Sequence, residues 1–182
     1  MGTRYYLIGQ VAKDQYILPI KANNPKLFLF GLPNPFGGGS IQNDKKITLK
    51  EEVDEESWFQ YELGGFDDSA IHTGKGDNGD DLEFYIGAII QRDAQTASNM
   101  LAAYRTGLKN PSADKTKEMT GSFFTLVNDF QYSDDDDLEK QLCARLTQIR
   151  YVVPDQKKQY MRSQTFQAIK KVIKQKINYS GL

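Results

Sequence analysis

The chain has 182 residues, 39% of them hydrophobic and 26% charged, which fits one globular domain over residues 1–182 with a sizeable core. Net charge is −1, a single cysteine (Cys143) excludes an internal disulfide framework and a cysteine-built zinc site, and no apolar run approaches the roughly 18 residues of a membrane span. The N-terminal MGTRYYLIGQV lacks the apolar stretch of a signal peptide, so the expectation is a cytoplasmic, soluble protein with no membrane partner.

The elements read in chain order as follows. Arg4 to Val11 predicts a strand, Lys13-Asp14 a turn, and Tyr16 to Lys21 a second strand in which Pro19 marks an edge or a bulge. Lys26 to Phe30 predicts a short strand that runs through Leu32-Pro33-Asn34-Pro35 into the glycine triplet Gly37-Gly38-Gly39. Lys45 to Ser57 predicts a helix capped by Asn43 or Asp44, with Ile47, Leu49 and Val53 as a weak apolar side. Trp58 to Leu63 predicts a strand ended by Gly64-Gly65. Ser69 to Thr73 and Asp81 to Ile90 predict a hairpin around GKGDNGD. Asp93 caps a helix that buries Ala97, Met100, Leu101 and Tyr104 and ends at Gly107; Asn110 to Asp114 is a loop. Ser122 to Val127 is a strand, and Ser133 or one of the aspartates caps a helix to about Ile149 with a Leu138, Leu142, Leu146 stripe. Pro154 ends a break, and a last helix over about 156–177 carries Phe166, Ile169, Val172, Ile173 and Ile177 on one side and lysines on the other. The fold class expected is α+β, a mixed β-sheet flanked by helices.

The chemistry concentrates between Leu32 and Trp58. On a helix from Lys45, Glu52, Glu55 and Glu56 stand at i, i+3 and i+4, so three carboxylates share one face. Their repulsion is offset either by solvation and the helix dipole or by a divalent cation such as Mg²⁺ or Mn²⁺, which favours carboxylate oxygens. The glycines permit a close approach of backbone to a ligand.

This segment resembles a degenerate Nudix box, the loop–helix signature of hydrolases that cleave a nucleoside diphosphate linked to another group. Glu52-Val53-Asp54-Glu55-Glu56 matches the centre of its pattern. Counted from Gly37, the arginine position holds Glu51 and an earlier glutamate position holds Asn43; counted from Gly39 the box is two residues short and Lys45 holds that glutamate position. In both registers Trp58 stands where the pattern has a glycine. The resemblance implies a Nudix-like α/β/α sandwich. It implies Glu52, Glu55 and Glu56 as catalytic residues and ligands of Mg²⁺ or Mn²⁺, with Gly38 and Gly39 against the substrate. A further acid from a later loop would come from Glu83, Asp80, Asp81 or Asp134 to Asp137, and Trp58, Phe59, Tyr61 or Phe66 would stack a base. The departures from the pattern favour a rival: a non-catalytic binding module, or an α+β interaction protein, that recognises a nucleotide or a protein.

Acids crowd residues 51–83 and bases crowd residues 150–182. That asymmetry suits an anionic partner, nucleic acid included, on the C-terminal helix, or simple attraction between the two halves. His72, the only histidine, reads as an ordinary strand residue.

Overall fold

A computed structural model describes residues 2–24, 26–27, 31–147 and 164–182. Two long strands organise it. β1 (Thr3–Ala12) and β6 (Asp81–Gln91) lie parallel, with Leu7 beside Tyr85 and Ile8 beside Ile86. Their outer edges are shared by pairs of shorter strands. Along β1, β3 (Phe36–Gly39) covers the first half and β2 (Gln15–Lys21) the second. Along β6, β5 (His72–Lys75) covers the first half and β4 (Tyr61–Phe66) the second. β7 (Met119–Val127) closes the sheet against β2, so this mixed sheet has seven strands.

Side chains alternate along a strand, so the continuous apolar runs of β1, β2 and β6 send neighbours to opposite faces and are buried on both. Leu7, Ile17, Tyr85 and Ile89 face α1 (Lys45–Glu56) through Leu49 and Val53. Ile8, Tyr16, Leu18 and Ile86 face α3 (Asp135–Thr147) and α4 (Gln164–Gln175), meeting Leu138, Leu142, Leu146, Phe166, Ile169 and Val172. The fold is α+β, as expected, with α1 on one face of the sheet and α3 and α4 on the other. The fourth helix among the described residues, α2 (Ala94–Thr106), is capped by Asp93 and ended by Gly107, and buries only Ala97 fully. No described helix is long and apolar enough to cross a membrane.

Several boundaries differ from the sequence reading. Pro19 marks a bulge rather than an edge, since β2 is flanked by β1 and β7 and its register with β7 shifts after Pro19. The predicted strand over Lys26 to Phe30 is a turn at residues 26 and 27, and residues 28–30 lie outside the described ones. The strand ahead of α1 is the glycine triplet itself, whose lack of side chains hides it from propensity. Trp58 to Gln60 form a turn, and Gly64-Gly65, expected to end a strand, sit within β4, where its register with β6 shifts. The break at Tyr151 to Pro154 and the start of the last helix lie outside the described residues.

Two of the C-terminal bases pair within the chain, with acids of α3 rather than with those of residues 51–83. Lys170 pairs with Asp135 and Glu139 at 2.5 Å, and Lys174 with Asp135 at 2.7 Å. Asp134 caps α3 by accepting from the Asp137 amide at 2.8 Å. The aspartate run therefore caps a helix and anchors α4.

Candidate functional site

α1 begins at Asp44, whose side chain accepts from the Ile47 amide at 3.0 Å. Thr48 Oγ accepts from Ile41 N at 2.8 Å and fastens the turn after β3 to the first helical turn. The stripe that α1 turns towards the sheet is Leu49, Glu52, Val53 and Glu56, at i, i+3, i+4 and i+7. Two of these four are acids. That explains the weak amphipathic signal: an inward face exists, but half of it is carboxylate.

These carboxylates meet the glycine strand. Glu56 accepts from the Gly37 amide at 2.6 Å. Glu52, only 9% exposed, lies against Gly38 so closely that a Cβ on that glycine would stand 2.6 Å from its Oε1. Gly37 has φ +154° and packs under Tyr6, so a side chain there is excluded as well. Gly39, predicted to touch substrate, has open space around its Cα. Glu55 completes the face, and its Oε2 is buried without a hydrogen-bond partner among the described residues.

Burial raises the pKa of all three acids. For Glu56 the rise is large, with Glu52 adding to it and the Gly37 amide opposing it. Glu52 is raised by burial against the pull of Lys115, with Glu118 adding and Arg4 opposing. Glu55 is pushed up to about 7, by burial first; Lys115 opposes the shift and Glu52 adds to it. Among the described residues no group of three or more acidic, histidine or cysteine side chains is drawn together into a ready-made metal cluster.

The later acid beside this face is Glu118, not any of those singled out from sequence. Glu118 ends a 3₁₀ turn (Lys115–Glu118) that packs against α1. Glu83 instead accepts from the Tyr85 hydroxyl, Asp80 accepts from the Gly2 amide at 3.1 Å, and Asp81 pairs with Lys75 at 2.5 Å. A lone glutamate in KTKEM carries no spacing signal, which is why sequence reasoning missed it.

Trp58 holds that 3₁₀ turn in place. Its indole N–H donates to the Thr116 carbonyl at 2.8 Å, the Arg105 guanidinium lies 5.0 Å over its ring, and Gly121 packs beneath it. Arg105 also pairs with buried Asp114 at 3.3 Å. Trp58 and Phe59 have φ of +55° and +62°, the left-handed backbone that ends α1 and that glycine adopts without strain. The turn a glycine would make is thus kept, and its strain is met by tertiary contacts. The predicted base-stacking aromatics are spent on packing: Phe59 against Tyr104, Tyr61 edge-on to Phe123, and Phe66 edge-on to Tyr85.

Glu51, at the arginine position of the resembled pattern, is exposed. An arginine braces the helix from elsewhere. Arg92, just past β6, pairs with Asp54 at 2.9 Å and Glu62 at 3.3 Å, and donates to the Phe59 and Tyr61 carbonyls. Burial still outweighs Arg92 in setting the pKa of Asp54, which is raised. His72 binds Gln164 Oε1 through Nε2 at 2.7 Å, and Cys143 is buried in the core.

No family model matches the chain, and no curated protein matches it. Among solved structures it is similar to a NUDIX hydrolase from Nitrosomonas europaea, at 12% identity and a TM-score of 0.48, over 98% of this chain and 93% of that one.

Proposed function

We propose that the chain is a divalent-metal-dependent hydrolase of the Nudix type, acting on the pyrophosphate of a nucleoside diphosphate linked to another moiety. The observation that carries this reading is the seating of Glu52 and Glu56 against the glycine strand, with Glu55 beside them on α1 and one of its oxygens buried and unpartnered among the described residues. Buried acids that repel one another and leave an oxygen orphaned suit a hard cation, because Mg²⁺ and Mn²⁺ take carboxylate oxygens. Glu52, Glu55 and Glu56 would hold the ion. When bound, it neutralises phosphate oxygens and makes a water more acidic.

The chain's own groups supply the rest. The Gly37 amide fixes Glu56, and Gly38 leaves room for Glu52. Glu55, pushed up to about 7 by burial in the metal-free chain, gives up its proton near neutral pH and so is ready to take a cation. Lys115 and Arg4, whose charges act on these acids, suit contacts to phosphate oxygens. The water oxygen bonds to one phosphorus, the bridging P–O bond breaks, and two phosphate monoesters leave.

The rival reading, a non-catalytic binding module, draws on the absence of a ready-made cluster among the described residues and on Trp58 in place of glycine. Incubation with a panel of nucleoside diphosphate compounds and Mg²⁺ or Mn²⁺ separates the two. The hydrolase reading expects monoester products and loss of at least about 100-fold in turnover for Glu55→Gln, with the fold retained. No turnover of any compound, together with no Mn²⁺ binding by calorimetry, leaves the binding module.

A further inference from the structure

On the flank of α1 away from the acids lies a cavity of about 390 Å³. Its place follows from the helical repeat. Around α1 the residues run Glu52, Glu56, Leu49, Val53, Lys46, Lys50, so the apolar stripe separates the two lysines from the carboxylates. Lys46 and Lys50 form one wall, the β4 run from Leu63 to Phe66 another, and Tyr179, from the segment after α4, the third.

That third wall is fixed by buried polar contacts. Asn178 Oδ1 accepts from the Gln10 side-chain amide at 2.7 Å and from the Asp14 backbone amide at 2.8 Å. Gln10 Oε1 accepts from the Tyr179 amide at 2.6 Å, and Asp67 Oδ2 from the Ser180 amide at 3.0 Å. Gln10 is fully buried, so a shift of Tyr179 would strand its oxygen away from water. The Tyr179 hydroxyl rests against Gly65, where a Cβ would stand 2.5 Å from it, and has no hydrogen-bond partner among the described residues.

The charges on the first wall are also unspent. Lys45 pairs with Asp68 at 2.7 Å, whereas Lys46 and Lys50 are exposed and make no ion pair or hydrogen bond among the described residues. Lys50 acts on Asp54, one turn along, but Arg92 already holds that carboxylate at 2.9 Å. No acid is among the described lining residues. Two ammonium groups one turn apart, roughly 6 Å at Cβ, can close on one doubly charged head. Leu63 and Phe66 offer only apolar surface beside them, which suits a ligand whose body is apolar.

We infer that this cavity binds a phosphomonoester with a short apolar body. Lys46, Lys50 and the Tyr179 hydroxyl hold the phosphate, and the body lies on Leu63 and Phe66. The inference does not rest on the hydrolase reading, because the site shares no residue with the acidic face.

Calorimetry on the full chain in EDTA tests this with phenyl phosphate, inorganic phosphate, benzoate and phenol. Phenyl phosphate is expected to bind at least several-fold tighter than the other three. Lys46→Met and Lys50→Met should each weaken it about tenfold, and Tyr179→Phe several-fold, as the loss of one charged or hydrogen-bonded contact does. Both lysines are exposed and unpaired, so their variants keep the fold. Lys115→Met, on the acidic flank, should leave phenyl phosphate binding unchanged. Inorganic phosphate or phenol binding as tightly as phenyl phosphate would remove one half of the ligand from the inference, and benzoate doing so would remove the doubly charged head; either result overturns it. So does binding that survives both lysine variants or is lost in Lys115→Met.

Discussion

Gly38→Ala isolates the site from the fold. The added methyl would stand 2.6 Å from Glu52 Oε1 and 3.1 Å from its Cδ, against ordinary contact from 3.4 Å, so the carboxylate must retreat by about 0.8 Å. The obstacle is the far end of a side chain, and the backbone of Gly38 lies outside the left-handed region. The cost to stability is therefore that of one displaced acid, about 1 kcal/mol. A misplacement near 1 Å in a reacting constellation costs roughly 100-fold in rate. Gly37→Ala is the contrast: its Cβ would fall on the Tyr5 carbonyl and 2.7 Å from the Tyr6 Cα, which are backbone, with φ at +154°. The assay is turnover of a nucleoside diphosphate sugar with Mg²⁺, beside thermal unfolding of both variants. The expected result is that Gly38→Ala gives a folded, nearly inactive protein and Gly37→Ala an unfolded or strongly destabilised one. Full activity in the Gly38→Ala variant would refute the claim that the Glu52 position against β3 matters for chemistry.

Three further outcomes follow from the same geometry. Glu52, Glu55 and Glu56 hold their protons more tightly when folded than when unfolded, so stability falls as pH rises from the ordinary 4.5 through about 7, the folded value for Glu55. The aspartates with lowered values, such as Asp129 and Asp135, titrate below that window. Melting at pH 5 and pH 8 without divalent cations should show the lower midpoint at pH 8, with Mn²⁺ restoring it; a higher midpoint at pH 8 would contradict the burial of these acids. Arg92→Met strands Asp54 and two carbonyls and should cost about 3 kcal/mol by chemical denaturation, whereas a surface pair would cost under about 1 kcal/mol. Trp58→Gly relieves about 1 kcal/mol of left-handed strain but removes the ring, its hydrogen bond and the Arg105 contact, for a net loss of about 2 kcal/mol; a gain in stability for Trp58→Gly would show that the clamp on the 3₁₀ turn contributes little.

The sheet was legible where apolar residues run on without a break. Tyr16-Ile17-Leu18 and Phe84-Tyr85-Ile86 announce strands buried on both faces, and Leu138, Leu142 and Leu146 announce α3. It was not legible at Phe36 to Gly39, where three glycines carry no pattern, or at Gly64-Gly65, where a bulge reads as an end. The acidic face was legible from spacing alone. Its companions Glu118, Lys115 and Arg4 were not, because they stand about 40 to 70 residues away and are delivered by Trp58 and by β1.

Local order in the chain determined that Glu52, Glu55 and Glu56 share a helical face, because a helix repeats every ~3.6 residues whatever surrounds it. Only the tertiary structure decided that this face turns inward onto β3 rather than out to water. Helical spacing is a property of neighbouring residues, whereas burial, and with it the raised pKa values and the orphaned oxygen of Glu55, depends on what distant strands bring against them.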